Sequence, residues 1–518
     1  MAVDLPLYLL LALLLAIPVI LFTARRSASR GNGASVRLPP SPWAFPVIGH
    51  LHHLAGALPH RALRDLARRH GPLMSLRLGE LRAVVATSPA AAREIMKAHD
   101  AAFASGPLSP MMELGYHGAD GIIFAPYGEG WRQLRKICAL ELLSARRVHS
   151  FRHVRADELR PLLLSVDAAA AVASPAVNLG ELVAAYVADA TVRAIIGSRF
   201  RERDEYLRLL QEGLKIMPGM TLPDLFPSSR LARIKNHGRR MREFIDTIIE
   251  EHQQSRISRE DGDQEEDLLD VLLRLQKEVG FHGPLRTTQR AAHCGHANER
   301  HEGTRAPSTE RHDGPLRAIH AASCLSASPS SKIDSHKAHW TMAEVMQNPR
   351  VKHKAQDEED MLANLHYLSL VVKETLRLHP PAPLLLPRKC GSPSCQVLGF
   401  DVPEETMVIV NAWAIARDPE HWDDEFWPER FEQGGRDFKG SDFELIPFGA
   451  GRRMCPGMAF GLAHIELALA ALLFHFDWEL PCGMEEEELD MTEAFGVTTQ
   501  RQADLVLVPI PRVPVPME

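Results

Sequence analysis

The sequence is poor in the features that mark several common classes of protein. Its seven cysteines are odd in number and scattered, which excludes the disulfide framework of a secreted domain and favours a reducing, cytosolic setting. It has no excess of basic residues: the net charge is -7 with both signs mixed along the chain, which excludes nucleic acid as a partner. No internal repeat and no flavin or nicotinamide motif is visible. What remains, 45% hydrophobic and 24% charged residues, is typical of a globular protein.

The N-terminal segment lacks charge. The run 5–22 (LPLYLLLALLLAIPVILF) is uncharged and, as a helix, about 27 Å long, enough to cross a bilayer. Arg25, Arg26 and Arg30 follow it, and the positive-inside bias then places the rest of the chain in the cytosol. We therefore predict a single-pass membrane anchor at residues 1–24. A cleaved signal peptide fits less well, because positive charge follows the apolar run instead of preceding it.

Proline separates this anchor from the body of the chain. Closely spaced prolines fix φ and interrupt helices, so residues 25–48 are predicted to form a basic, stiff linker. Beyond it, apolar residues recur mostly at helical spacing, and alternating runs predict two short strands around Gly79 and a hairpin over 397–416. These patterns predict one domain over residues 49–518 that is mostly α with small β-sheets.

One long stretch lacks aromatic residues altogether. Residues 282–339 contain no Phe, Tyr or Trp, are crowded with His, Arg, Ser, Gly and Pro, and show neither helical nor strand periodicity. Such composition is typical of disordered segments, and loops of this length are rare inside compact domains. Its eight histidines have no regular metal-ligand spacing. We interpret the stretch as a gene-model artefact (a frameshift or retained intron) or, as the alternative, a genuine His-rich insertion, with order resuming at Trp340.

The most specific motif is FGAGRRMCPG, which ends at Gly457. A thiolate is the ligand that pushes electron density onto a haem iron, and Cys455 directly precedes an apolar helical run whose free N–H groups stabilise negative charge. Gly451 permits a tight turn, and Gly457 lets the helix backbone approach a flat ligand. Phe448 can cover the sulfur, and Arg453 can pair with a carboxylate of the ligand. A buried structural thiol is the alternative for an isolated cysteine, but it does not account for this spacing.

The motif resembles F-x-x-G-x-R-x-C-x-G, the haem-binding signature of the cytochrome P450 family. The resemblance implies a cytochrome P450 fold preceded by an N-terminal transmembrane helix, haem b as the cofactor and Cys455 as the axial ligand of its iron. Glu374 and Arg377 resemble the E-x-x-R of the family, and Arg430 resembles the arginine of its P-E-R-F segment. Together these three imply a buried ionic network that fixes the geometry behind the loop that carries Cys455 (residues 448–457, the cysteine loop).

Further matches concern the propionates of the haem. Trp131 and Arg135 resemble the W-x-x-x-R of the family's C helix, which holds a propionate, and Arg388 matches a second propionate contact. The proline-rich segment and the stretch NAWAIARDP are similar to plant A-type P450s of the 71 clan. The match runs from the anchor to Glu278 and from Trp340 to the end of the chain.

The resemblance also implies a function, partners and a location. It implies a monooxygenase that inserts one oxygen atom of O2 into a small hydrophobic plant metabolite. Electrons would come from NADPH through NADPH–cytochrome P450 reductase, with cytochrome b5 as a further candidate partner. The protein would be a single-pass protein of the endoplasmic reticulum membrane with its catalytic domain in the cytosol. Ile123, Leu384, Phe495 and Val497 would line the substrate pocket, with ordinary core packing as the alternative for each.

One part of the family pattern is missing. The acid–threonine pair of the central helix, which relays protons during oxygen activation, has no counterpart in residues 282–339, so no catalytic residue is assigned. Two alternatives to the monooxygenase follow: a degenerate, non-catalytic relic, and a peroxide isomerase or dehydratase, which the standard cysteine loop disfavours. For this chain we predict weak or absent monooxygenase activity and poor folding.

Overall fold

The computed structural model of the protein describes residues 37–106, 122–123, 125–172, 176–197, 205, 208–209, 240, 244, 247–254, 266–279, 330–357, 365–393, 395–432, 435–494, 496 and 498–516. The predicted anchor at 1–24, the first half of the predicted linker (25–36) and residues 282–329 lie outside this described part. The division of the chain into anchor, linker and domain therefore stays a prediction.

Helices are the main secondary structure of the described chain, as the apolar periodicity predicts. They are α1 (Pro59–His70), α2 (Pro89–Arg93), α3 (Glu129–Ile137), α4 (Ala145–Ser150), α5 (Arg152–Ala170), α6 (Leu179–Ile196), α7 (Leu268–Val279), α8 (Ser330–Gln347), α9 (Pro349–Gln356), α10 (His366–Leu378), α11 (Ala412–Ile415) and α12 (Met458–His475). Single π turns extend α2 over Glu94–Ala98 and α3 over Cys138–Leu142. Ser88, Ser144 and Asn178 cap α2, α4 and α6, because each side chain accepts the N–H three residues on.

Short strands form small sheets beside the helices. They are β1 (Leu73–Leu78), β2 (Leu81–Ala86), β3 (Val177–Asn178), β4 (Arg388–Lys389), β5 (Cys395–Val397), β6 (Phe400–Val402), β7 (Met407–Val410), β8 (Phe476–Glu479), β9 (Glu493–Ala494), β10 (Gln500–Arg501) and β11 (Val506–Pro511). The largest sheet has the order β1-β2-β7-β4, in which β2 and β7 are parallel and the other neighbours antiparallel. The smaller sheets are β3-β11-β8, β5-β6 and β9-β10.

The expected hairpin over 397–416 is wrong. β6 pairs with β5, whereas β7 joins the largest sheet between β2 and β4. All four residues of β7 are buried, so this strand belongs inside a sheet and not at the edge of an isolated hairpin. The two strands expected around Gly79 do form, as β1 and β2, and Gly79 itself has a φ of +64° in the turn between them.

α12 is the central helix of the core. It packs against α5, α8, α10 and β8, and Leu469, Leu472 and Leu473 are fully buried on it. A helix that is apolar on all sides is either buried in a large core or spans a membrane. Within the described residues, α12 is the one helix long and apolar enough to cross a membrane, and most of it is buried inside the protein.

α8 begins within the stretch whose composition is anomalous. It starts at Ser330, so residues 330–339 are helical, and the prediction that order resumes only at Trp340 is wrong at this boundary. Asp334 Oδ1 and Lys337 Nζ are 3.1 Å apart in a buried ion pair on this part of the helix. The composition of residues 330–339 does not predict this part of the helix, because they show no apolar periodicity. Packing of α8 against α6, α10 and α12 stabilises the helix instead.

A buried ionic cluster joins the two ends of the described chain. Oε2 of Glu493 in β9 accepts hydrogen bonds from His60 Nε2 at 3.0 Å and from Arg61 Nη2 at 2.8 Å, both in α1. Burial alone would raise the pKa of Glu493, but these donors and the nearby His379 hold it well below its usual value. The cluster therefore links α1 to β9, a strand near the C-terminal end of the chain.

Candidate active site around Cys455

Backbone geometry shapes the loop that carries Cys455. Gly449 and Gly451 have φ values of +70° and +69°, a left-handed conformation that glycine adopts without steric cost. The N–H of Cys455 donates to the carbonyl oxygen of Phe448 at 3.0 Å and closes the loop. α12 then begins at Met458, so the free N–H groups of its first turn lie beside the cysteine.

Gly451 and Gly457, the two glycines of the F-x-x-G-x-R-x-C-x-G signature, have opposite surroundings. A β-carbon at Gly451 would lie 2.2 Å from the carbonyl oxygen of Met96 and 2.8 Å from Oδ1 of Asp100, so only glycine fits there. A β-carbon at Gly457 would meet no atom within 4 Å. The cysteine loop is therefore packed against the turn after α2, while the space beside the start of α12 is open.

Cys455 lies on the wall of a recess. Its side chain is exposed, yet protein surrounds it closely enough that burial raises the pKa of its thiol. The ammonium group of Lys337 and the N–H of Gly457 oppose that rise, whereas the carboxylate of Asp334 adds to it. Two positive charges, Lys337 of α8 and Arg135 of α3, and one hydrogen bond from the start of α12 therefore favour the thiolate.

Three arginine side chains gather near this recess. Arg135 of α3 is close enough to Cys455 for their charges to interact. The pKa of Arg453 is lowered to about 10, mainly because the group is buried and to a smaller extent because Arg388 and Arg135 repel its charge. Oδ1 of Asp100 lies 3.4 Å from Nη1 of Arg388 and offsets part of this charge. Among the described residues the arginine cluster (Arg135, Arg388, Arg453) keeps an excess of positive charge, which favours an anionic ligand.

Trp131 supports one member of the arginine cluster. Its indole N–H donates to the carbonyl oxygen of Ile122 at 2.8 Å, and the guanidinium carbon of Arg453 lies 4.4 Å from the centroid of its ring. Arg453 itself donates to backbone carbonyl oxygens, among them those of Ala104 and Ile123. Carbonyl oxygens satisfy its N–H groups, but no carboxylate of the described residues forms an ion pair with it.

These features fit a haem. The exposed thiol of Cys455 offers a ligand atom, and the open space beside Gly457 leaves room for a flat ring. The two carboxylates of a haem would meet the excess positive charge of the arginine cluster. The residues present are therefore compatible with the cofactor that the motif implies.

The structure brings Glu374, Arg377 and Arg430 together. Nε and Nη2 of Arg377 each lie 2.8 Å from a carboxylate oxygen of Glu374, and Nε of Arg430 lies 3.1 Å from Oε1 of Glu374. The remaining donors of Arg377 reach the carbonyl oxygens of Ala416 and Glu425, both at 3.0 Å. Glu374 and Arg377 are fully buried, so the network ties α10 to the segment that follows α11.

The four predicted pocket residues have different surroundings. Ile123 is partly buried and packs in an apolar cluster with residues of α5 and α7. Leu384 packs against the apolar cluster between α1 and the largest sheet. Leu385, whose φ is +51°, borders the cysteine loop instead: a β-carbon on the first glycine of that loop would lie 3.9 Å from its Cδ1. Phe495 and Val497 lie outside the described residues.

Sequence reasoning missed three charged residues at this site. Asp100 contacts the cysteine loop, and Asp334 and Lys337 reach it from α8. Nζ of Lys337 lies 4.8 Å from the ring centroid of Phe448, and a β-carbon at Gly461 would lie 2.6 Å from Oδ1 of Asp334. No motif spacing links these residues to the loop, because tertiary packing alone brings them there.

The chain is similar in sequence to known proteins over nearly its whole length. The sequence profile of the family Cytochrome P450 matches residues 39–289 and 335–507. The chain is 42% identical over 516 residues to desmethyl-deoxy-podophyllotoxin synthase of Sinopodophyllum hexandrum, covering 95% of both proteins. It is 40% identical over 513 residues to premnaspirodiene oxygenase of Hyoscyamus muticus (94% and 96% covered). Its identity to dolabradiene monooxygenase of Zea mays is 41% over 502 residues (92% and 93% covered).

A solved structure has the same fold. A zebra fish cytochrome P450 with abiraterone is similar with a TM-score of 0.68 and 22% identity, covering 88% of this chain and 99% of that one. The resemblance drawn from the motifs is thereby confirmed, together with its cofactor class, a haem iron with a cysteine ligand. The chain therefore belongs to the cytochrome P450 family, among its plant A-type haem-thiolate monooxygenases.

Proposed function

We propose that this chain is a membrane-anchored monooxygenase that inserts one oxygen atom of O2 into a small hydrophobic plant metabolite, with electrons passed from NADPH by NADPH–cytochrome P450 reductase. The observation that carries the proposal is the position of Cys455, an exposed thiol between the start of α12 and the arginine cluster. A haem iron with a thiolate ligand supplies the chemistry that cleaves the O–O bond. The residues of the chain hold and shield that group.

Cys455 is the proposed iron ligand, and four residues are proposed to hold the propionates. Arg135, Arg388 and Arg453 carry more positive charge than the described carboxylates offset, so two propionates would relieve their repulsion. Trp131 lies against Arg453 and fixes the plane of its guanidinium group. A planar guanidinium can bind a carboxylate through two parallel hydrogen bonds.

The other motif residues are proposed to shape the loop. The ring of Phe448 is buried and packs edge-on against Phe438, which suits a cover over the sulfur. Gly451 allows the loop to touch the turn after α2, and Gly457 leaves space for the flat cofactor. The buried network of Glu374, Arg377 and Arg430 is proposed to hold the segment after α11 in the position that supports this loop.

The substrate side is proposed to be apolar. Ile123 and Leu384, with Phe495 and Val497, are the proposed lining residues, and Leu385 joins them because it borders the cysteine loop. Apolar side chains with few polar groups suit a hydrophobic small molecule. The relatives named for premnaspirodiene and dolabradiene support a substrate of this class.

A membrane location and protein electron donors complete the proposal. The apolar run at 5–22 is proposed to anchor the chain in the endoplasmic reticulum membrane, with the catalytic domain in the cytosol. The side chain of Arg452 is 47% exposed beside the cysteine loop and offers positive charge to an acidic face of the reductase or of cytochrome b5. Reversal of this charge is expected to slow reduction of the protein.

A non-catalytic relic is the second candidate, and a peroxide isomerase or dehydratase is the third. The observation that favours a relic is the amino-acid sequence of α8. Its residues include no acid followed directly by threonine, and they place the buried pair of Asp334 and Lys337 beside the cysteine loop instead. Peroxide chemistry needs no external electrons, so NADPH consumption separates it from the monooxygenase.

The test is a carbon monoxide difference spectrum of the full-length chain expressed with a plant reductase. We expect the red-shifted band of a thiolate adduct, in low yield because of poor folding, in the wild type and in Cys482→Ser, which removes another exposed thiol. Cys455→Ser is expected to lose the band, and if it keeps the band the proposal is wrong. Absence of haem from the wild type would favour the relic. A good yield of the adduct would refute the expectation of poor folding.

A further inference from the structure

Asp100 is a buried carboxylate outside the sequence motif. It lies two residues beyond the π turn Glu94–Ala98 and is 6% exposed. Its Oδ2 accepts hydrogen bonds from the backbone N–H of Arg452 at 3.0 Å and from Nη1 of the same arginine at 2.9 Å. Its Oδ1 accepts a longer bond from Nη1 of Arg388 at 3.4 Å. One carboxylate thus binds the cysteine loop and β4 together.

Arg388 holds the cysteine loop from the other side, and together with Asp100 and Arg452 it forms a clamp on that loop. Its Nη2 donates to the carbonyl oxygen of Ala450 at 2.9 Å. The residue between the two tethered positions, Gly451, lies against the carbonyl oxygen of Met96. The backbone is therefore fixed on both sides of Gly451, a few residues before Cys455.

We infer that Asp100 is a positioning residue for Cys455: it fixes the cysteine loop and holds Arg388 within the arginine cluster. The inference rests on the proposed function, because it takes Cys455 as the iron ligand. Asp100 acts through two arginines and through the backbone of the loop. Its carboxylate also places a negative charge beside the cluster, so its loss makes the site more positive and favours the reduced iron.

The test compares Asp100→Asn with wild type in the full-length, haem-loaded protein. Asparagine keeps the size of the side chain but removes its charge and one acceptor. Loss of a group that orients a metal ligand costs about 10- to 100-fold in affinity, so we expect haem transfer to apomyoglobin to be faster by about that factor. The reduction potential, measured by spectroelectrochemistry, is expected to shift to more positive values.

A matched control separates positioning from stability. Glu158 is also a buried carboxylate, and its Oε1 lies 3.1 Å from Nη1 of Arg193 between α5 and α6. Glu158→Gln is expected to lower stability while the rate of haem loss and the reduction potential stay at wild-type values. A merely structural role for Asp100 would give Asp100→Asn the same pattern as this control.

A second variant decides the matter if Asp100→Asn does not fold. Arg452→Gln removes the exposed side-chain arm of the clamp and keeps the backbone hydrogen bond. It is expected to speed haem loss relative to wild type, by less than the factor of about 10 to 100 expected for loss of the whole carboxylate. Wild-type haem loss and potential in the folded variants would overturn the inference and leave the proposed function standing. A wild type without cysteine-bound haem would overturn the proposed function itself.

Discussion

Replacing Arg377 with methionine would break a buried ion pair while keeping most of the side-chain length. Arg377 is fully buried and makes four hydrogen bonds of 2.8 to 3.0 Å, two of them to Glu374. Glu374 would keep two partners, Nε of Arg430 at 3.1 Å and the N–H of Trp427 at 3.0 Å. Removing one member of a buried pair costs about 3–5 kcal/mol. Because two partners remain, we expect a loss of about 3 kcal/mol, roughly a 100-fold increase in the unfolded fraction.

The assay is urea denaturation of the full-length protein in detergent micelles, followed by tryptophan fluorescence. Arg132→Met is the matched control, because Arg132 and Glu129 are also three residues apart on a helix but are 57% and 69% exposed. An exposed pair of this kind contributes about 0.5 kcal/mol or less. The double variant Glu374→Gln/Arg377→Met removes both charges and is expected to recover part of the stability. If Arg377→Met loses no more stability than Arg132→Met, the reasoning about burial is refuted.

Three further substitutions test other features. Gly451→Ala is expected to abolish the carbon monoxide thiolate band because its methyl group meets a carbonyl oxygen, whereas Gly399→Ala, with a similar φ of +73° but open space, keeps the band. Lys337→Met leaves Asp334 buried without its cation and should lower the free energy of unfolding by about 3 kcal/mol in urea; unchanged stability would contradict this. The depressed pKa of Glu493 contributes stability that is complete above its unfolded value of about 4.3 and lost as pH falls through the folded pKa. Glu493→Gln should therefore be less stable at pH 7 and lose less stability on acidification below about pH 4.3; equal acid sensitivity of variant and wild type in urea titrations would count against it.

The parts of the site that could be predicted from the sequence are local ones. The cysteine loop depends on a few consecutive residues, and the glycine at 451 has the left-handed φ that a tight turn requires. α12 follows from a long apolar run. Glu374 and Arg377 meet because residues three apart share one face of a helix.

The parts that could not be predicted depend on contacts between distant residues. Asp100 binds Arg452 across 352 positions of the chain, and no local pattern marks that contact. The first turns of α8 are polar, and burial of the pair Asp334–Lys337 against α12 decides their conformation. The neighbours Leu384 and Leu385 point to different clusters because of a backbone turn that apolar composition does not encode.

The pairing of β2 with β7 has a consequence for synthesis of the protein. Ala83 lies opposite Met407, and α1 binds Glu493, so both early elements meet partners that leave the ribosome hundreds of residues later. While the chain is being made, the buried face of β2 is uncovered and its edge is free to pair wrongly. The apolar surface of such a nascent chain stays exposed for a long interval, and a truncated product that stops before β9 leaves α1 without Glu493, its anionic partner.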